Sequence, residues 1–158
     1  MSVIGMLEAG RSFAERIPYR LLALVSRFAV ASIFWRSGQT KVHGLSIREE
    51  TFVLFREEYR VPLLPPDIAA YMTTVAEHLF PVLLIIGFAS RLSALGLLAT
   101  TSVIQLFVYP SGWPQHILWI GLLLPIIARG PGVVSLDHLV WSRLRGVRTM
   151  PQIPVAAR

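Results

Sequence analysis

The sequence predicts an all-α protein, a four-helix transmembrane bundle with a short amphipathic helix in the first loop and an interfacial C-terminal helix. Three observations predict it. Hydrophobic residues make up 54% of the chain, with a mean hydropathy of +0.59, and charged residues only 15%, against about a quarter in an ordinary soluble domain. The apolar residues gather into four runs, each near the roughly 20 helical residues that a hydrocarbon core of about 30 Å requires. The positive charge, +6 net, lies at the edges of those runs; it reads as topology signals and contacts to anionic lipid rather than a nucleic-acid surface.

The opening stretch "MSVIGMLEAGRSFAERIPYR" is too polar and charged for a secretory h-region, and the apolar run that follows it is interrupted by Arg27. The first apolar run is therefore expected to be an uncleaved span. It covers residues 17–35. The second covers 68–89, interrupted by Glu77 and His78; the third 92–109; the fourth, and shortest, 113–128. Only "SR" separates spans two and three, which makes them an antiparallel hairpin. Pro81 and Pro125 are expected to kink their helices.

Arg11, Arg16 and Arg20 precede span one, Arg91 lies between spans two and three, and Arg129, Arg143, Arg145 and Arg148 follow span four. The loop "PSGWP" carries no positive residue. In the first loop Arg48, Arg56 and Arg60 are offset by Glu49, Glu50, Glu57 and Glu58. This distribution places both termini in the cytoplasm. Within that loop Ser46 and Glu49 have capping-box spacing, and Phe52, Phe55 and Tyr59 recur at helical spacing. A short helix over the outer end of the bundle, or on the lipid surface, is expected there. "GPGVVSLDHLVWSRLRG" reads as a break followed by a second interfacial helix. Trp35, Trp113, Trp119 and Trp141 fall near span boundaries, as an aromatic belt requires. No repeat or linker divides the chain, so residues 1–158 read as one domain.

The absence of cysteine excludes disulfide exchange, thiol nucleophiles and Cys-ligated clusters. No Walker loop, nucleotide fingerprint, HExxH or triad pattern is present, so no catalytic residue is assigned and no metal site is expected. What remains is charge inside the membrane. Arg27 is ten residues from Ile17 and eight from Trp35, and Glu77 nine from Ile68 and twelve from Ala89. Both count to mid-membrane on antiparallel spans, and a lone charge there costs several kcal/mol. A pair between Arg27 and Glu77 is the expectation. It would be either an interhelical clamp or part of a polar pocket, in which His78 need not share because successive helical residues point about 100° apart. Gln105 and His116 fall in the outer third and are expected to hydrogen-bond across helices. A haem between His78 and His116 is disfavoured, since the same counting separates them by about 10 Å in depth. Gly96 and Thr100 have the small-xxx-small spacing of a close helix crossing.

Several stretches together resemble the DoxX family of membrane proteins. "SRFAVASIFWRSGQTKVHG" is similar to the family's first-span signature, with Arg27, Gly38 and Lys41 in place. "AEHLFPVLLIIGFASRLSAL" is similar to the second, with Glu77, Gly87 and Arg91. "ARGPGVVSLDHL" resembles the Gly-rich turn and Ser-Leu-Asp ending, with Gly130, Gly132 and Asp137. The match covers nearly all of the chain after about residue 20. It implies a four-helix, multi-pass protein of the bacterial inner membrane and, through the thiosulfate:quinone oxidoreductase subunit that names the family, a redox setting. His78-Leu79 stands where the family has Gly-Gly, and the cysteine pair of redox-active four-helix relatives is missing; both point away from electron transfer by this chain alone.

Two functions follow as expectations. One is a small membrane subunit or partner of a quinone-linked oxidoreductase, binding quinone or a soluble or membrane oxidoreductase, with Arg27, Glu77 and His78 as the polar inventory. The other is a non-catalytic scaffold or an assembly, chaperone-type protein. The lipid bilayer is a partner in either, nucleic acid in neither, and the sequence leaves homo-oligomers open.

Overall fold

The computed structural model describes residues 3–15, 17–59, 61–62 and 64–146. Arg16, Arg60 and Arg148, counted above as topology signals, lie outside the described residues, as does the side chain of Arg145. Seven α-helices are present among the described residues: α1 (Val3–Glu15), α2 (Tyr19–Thr40), α3 (Glu49–Glu57), α4 (Pro66–Ile86), α5 (Ser90–Val103), α6 (Trp113–Arg129) and α7 (Leu136–Gly146). The spans Tyr19–Thr40, Pro66–Ile86, Ser90–Val108 and Pro110–Arg129 are long and apolar enough to cross a membrane. They form a closed ring in which α2 packs on α4 and α6, and α5 packs on α4 and α6. Val30, Ala31, Phe34, Leu84, Ala94, Leu97, Leu123 and Ile126 fill its centre. Leu, Val and Ile side chains on the outward faces stay exposed, as lipid contact requires.

The first span ends at Thr40 rather than at residue 35, because Arg36, Ser37 and Gly38 continue the helix along α4. At Gly38 the two backbones approach so closely that a Cβ would lie 2.7 Å from the His78 ring and 3.2 Å from the Glu77 carbonyl. That carbonyl is the one Pro81 leaves without its helical N–H partner. At the other end α4 stops at Gly87, whose φ of 72° sets up a Schellman turn: Gly87 N–H donates to Leu84 O and Phe88 N–H to Leu83 O. Gly96 is a close crossing as expected, its face filled by the Phe80 ring.

Two expectations, one in the first loop and one in the belt, need correction. Ser46 caps nothing; it pairs with His43 in a two-residue hairpin, β1 (Val42–His43) and β2 (Ser46–Ile47), turned at Gly44 with φ 63°. Helix α3 starts after Arg48 with no side-chain cap, and Glu49 and Glu50 in its first turn complement the helix dipole. The helix itself lies over the end of the bundle as expected, Phe55 packing on Ala69 and Ala70 of α4. Trp119 does not belong to a belt: it packs edge-on against Phe34 in the core, with ring centroids 5.3 Å apart. Past Val103 the third span continues as a π-turn, Ile104–Val108, closed by Tyr109 N–H to Ile104 O.

Candidate functional site: a cavity headed by a buried lysine–glutamate pair

Glu77 is 1% exposed, and its partner is Lys41, not Arg27. Lys41 Nζ donates to Glu77 Oε2 at 2.6 Å and to Ser37 Oγ at 3.1 Å, and Ser37 Oγ donates to Glu77 Oε1 at 3.2 Å. Lys41 is itself held in place: its carbonyl accepts from Arg48 N–H and from Thr51 Oγ1, so the hairpin and α3 fix it at the end of α2.

Arg27 lies towards the other end of the bundle. Nε donates to Leu84 O at 2.7 Å and Nη2 to Ile85 O at 2.7 Å, while Nη1 reaches Pro131 O and Val134 O. It thus satisfies the last carbonyls of α4 and the loop after α6, groups that lipid could not hydrate. Two things defeat the depth count that paired Arg27 with Glu77. The first span runs further past Arg27 than the hydropathy suggests. Side chains also slant toward their own helix N-terminus; on antiparallel helices this carries Arg27 and Glu77 in opposite directions.

The remaining motif residues gather around Arg27. A Cβ on Gly87 would lie 2.5 Å from Ser135 Cβ. The Asp137 carboxylate accepts from the Ala89 and Ser90 N–H groups at 2.8 Å each, capping α5, while Asp137 N–H donates to Gly87 O. Gly130 and Gly132 turn the chain with φ of 87° and 84°, and Arg91 reaches Ala128 O. These residues close the fold at the tail end, away from Glu77.

The Glu77–Lys41–Ser37 cluster forms the polar head of a cavity of about 770 Å³ bounded by α3, α4, α5 and α6. Its walls are largely apolar. It reaches the lipid-facing surface between α4, where Met72, Val75 and Leu79 are exposed, and α5, where Ala99 and Thr100 line it. Tyr59 and Tyr109 stand at the α3 side, their hydroxyls 3.0 Å apart; burial first, then that hydrogen bond, raises the Tyr59 phenol above its ordinary pKa.

On the facing wall is His116, 3% exposed, with Nδ1 2.7 Å from Gln105 Oε1. This is the cross-helix bond expected of the two residues. Gln105 Nε2 donates to Pro110 O, which leaves Oε1 to accept, so the His116 proton is assigned to Nδ1. His78 does not line this cavity. Its Nδ1 meets Thr74 O, its Nε2 meets Gln39, and its ring packs on Trp35. Direction rather than depth separates His78 from His116: Trp119 touches Phe34 one turn below Ser37, and His116 is one turn above Trp119.

A family model, DoxX, matches residues 22–110, more than half of the chain, from the first turn of α2 through the π-turn that follows α5. The chain belongs to the DoxX family. It is also similar to an uncharacterized protein of Haemophilus influenzae, 31% identical over 127 residues, covering 74% of this chain and 82% of the relative. No solved structure matches it. Within the DoxX match the motif residues divide between two places, Arg27, Gly87 and Arg91 at the tail end, Lys41 and Glu77 at the cavity, with Gly38 packed against His78 beside them. Lys41 was legible as a motif residue but not as the partner of Glu77, since it follows the apolar run rather than interrupting it. Ser37 carried no signal as a partner of that pair, and Tyr59 was legible only as part of the apolar face of the loop helix.

Proposed function

We propose that this chain is the small membrane partner of a quinone-linked oxidoreductase system, with a quinone ring lodged under α3 and its tail leaving between α4 and α5. The observation that carries the reading is the buried Lys41–Ser37–Glu77 cluster at the head of a largely apolar cavity of about 770 Å³ open to lipid. That volume falls in the range of small-molecule sites, about 300–1,000 Å³, with few polar groups fixing orientation. A carboxylate beside an ammonium group suits a ring that exchanges protons as it changes redox state. The DoxX resemblance favours the bacterial inner membrane. Arg20, Arg91 and Arg129, which flank the spans at the tail end, together with Arg11 before the first span and Arg143 after the fourth, favour both termini in the cytoplasm.

Solvent extraction of protein purified in mild detergent is expected to release quinone in near-stoichiometric amount from the unaltered chain, and far less from a Lys41→Met/Glu77→Gln double variant. Protein that carries no quinone and takes up none when it is added would sink the proposal. The second reading, a scaffold or assembly protein, is favoured by α7, whose Leu139, Val140, Trp141 and Leu144 are exposed. Under it, loss of α7 residues would break association with another membrane protein while quinone content is irrelevant.

A further inference from the structure

The polar groups at the cavity are unevenly divided between donors and acceptors. All three N–H directions of Lys41 are used, on Glu77 Oε2 at 2.6 Å, Ser37 Oγ at 3.1 Å and Ser37 O at 3.4 Å. The Ser37 hydroxyl is spent on Glu77 Oε1. Each Glu77 oxygen keeps a second lone pair. His116 places its proton on Gln105, so Nε2 carries a lone pair; it has no partner among the described residues and is not sealed from open space. The buried groups therefore offer acceptors from two walls, at about the same level. Donors remain only on less buried side chains: one hydroxyl of the Tyr59–Tyr109 pair, Thr73, the Trp119 indole N–H, and the exposed Tyr71 and Gln115.

A quinone ring presents two carbonyl oxygens, which only accept. Its reduced form presents two hydroxyls, which donate. Carbonyls set against the Glu77 and His116 lone pairs would lose their hydration without replacement, whereas two hydroxyls would each find a partner. Resting on the quinone reading above, we propose that the cavity selects the reduced, hydroxyl-bearing form, with Glu77 and His116 Nε2 as the acceptors that recognise a quinol. The π-turn serves this recognition: it brings Gln105 to His116 and so fixes which ring nitrogen is open. Gly112 permits it, because a Cβ there would lie 2.7 Å from the His116 ring.

The test uses the full chain in lipid nanodiscs, with decyl-benzoquinone and its two-electron-reduced hydroquinone as probes, titrated anaerobically by calorimetry. The hydroquinone is expected to bind at least about tenfold tighter, which raises the midpoint potential of the bound couple by about 30 mV over the free one. His116→Phe removes the acceptor and should bring the two affinities close to equal. Gln105→Glu sets a carboxylate on Nδ1, favours the doubly protonated ring and turns Nε2 into a donor, so the preference should fall further or reverse. Should His116→Phe not fold, Gln105→Glu decides alone, its folding checked by melting. Equal binding of both forms by the unaltered chain, or a preference that survives in the folded variants, overturns the selection and leaves quinone binding standing. Failure to bind either form overturns the quinone reading itself.

Discussion

Lys41 shows how a residue just outside an apolar run can be the most consequential charge in it. It is 7% exposed and Glu77 1%, so removing either partner leaves an uncompensated buried charge, at a typical cost of about 3–5 kcal/mol. Glu77→Gln and Lys41→Met should each lower the melting temperature in detergent. The double variant should recover much of the loss, with a coupling energy above about 1 kcal/mol. The same cycle run on Arg27→Gln and Glu77→Gln should be additive, since the two share no partner; coupling there would contradict the geometry. The sequence made Glu77 legible as a charge in need of a counterion, because nothing in lipid solvates it. It did not make the counterion legible. Hydropathy marks where apolar residues stop, at Trp35, and the helix stops elsewhere, at Thr40, where close packing at Gly38 carries it on.

At the scale of the element, α3 was legible from the spacing of Phe52, Phe55 and Tyr59, and its packing on α4 follows from that face. Its start was not, because Ser46–Glu49 has the spacing of a cap while the hairpin takes Ser46 for a strand. The two possibilities differ in a measurable way. Ser46→Ala should change stability little, whereas Thr51→Val, which removes the bond from Oγ1 to the Lys41 carbonyl, should cost about 1 kcal/mol. Tyr59 gives α3 a dependence on alkaline pH. Burial raises its phenol above the ordinary 10.0, so the neutral form belongs to the folded state. The contribution is complete below about pH 10, where the unfolded chain also keeps its proton, and is lost as pH climbs beyond it. Melting curves should fall less steeply above pH 10 in Tyr59→Phe than in the unaltered chain; identical slopes would remove Tyr59 from the account. The π-turn had no sequence signal, since its cause is Gln105 turning back to Pro110 and His116.

For the whole molecule, four spans and their hairpin order could be read from hydropathy alone, because a bilayer imposes length and composition on any helix that crosses it. Orientation is the part to be measured. The chain has no cysteine, so single cysteines at Leu45, the fully exposed hairpin tip, and at Ser142 in α7 report on each end separately. An impermeant thiol reagent applied to intact cells should label the first and spare the second; the opposite pattern would invert the proposed topology. The knot around Arg27 also has a consequence for the order in which the protein is made. Arg27 emerges early, but its carbonyl partners lie 57, 58, 104 and 107 residues further along. At a synthesis rate of roughly 5–20 residues per second, the guanidinium waits several seconds in or beside the membrane before the last of them arrives. A nascent chain halted at Arg129 would hold all four spans and still lack Pro131, Val134 and Asp137, and a quality-control protease would meet it with its arginine half satisfied and its α5 uncapped.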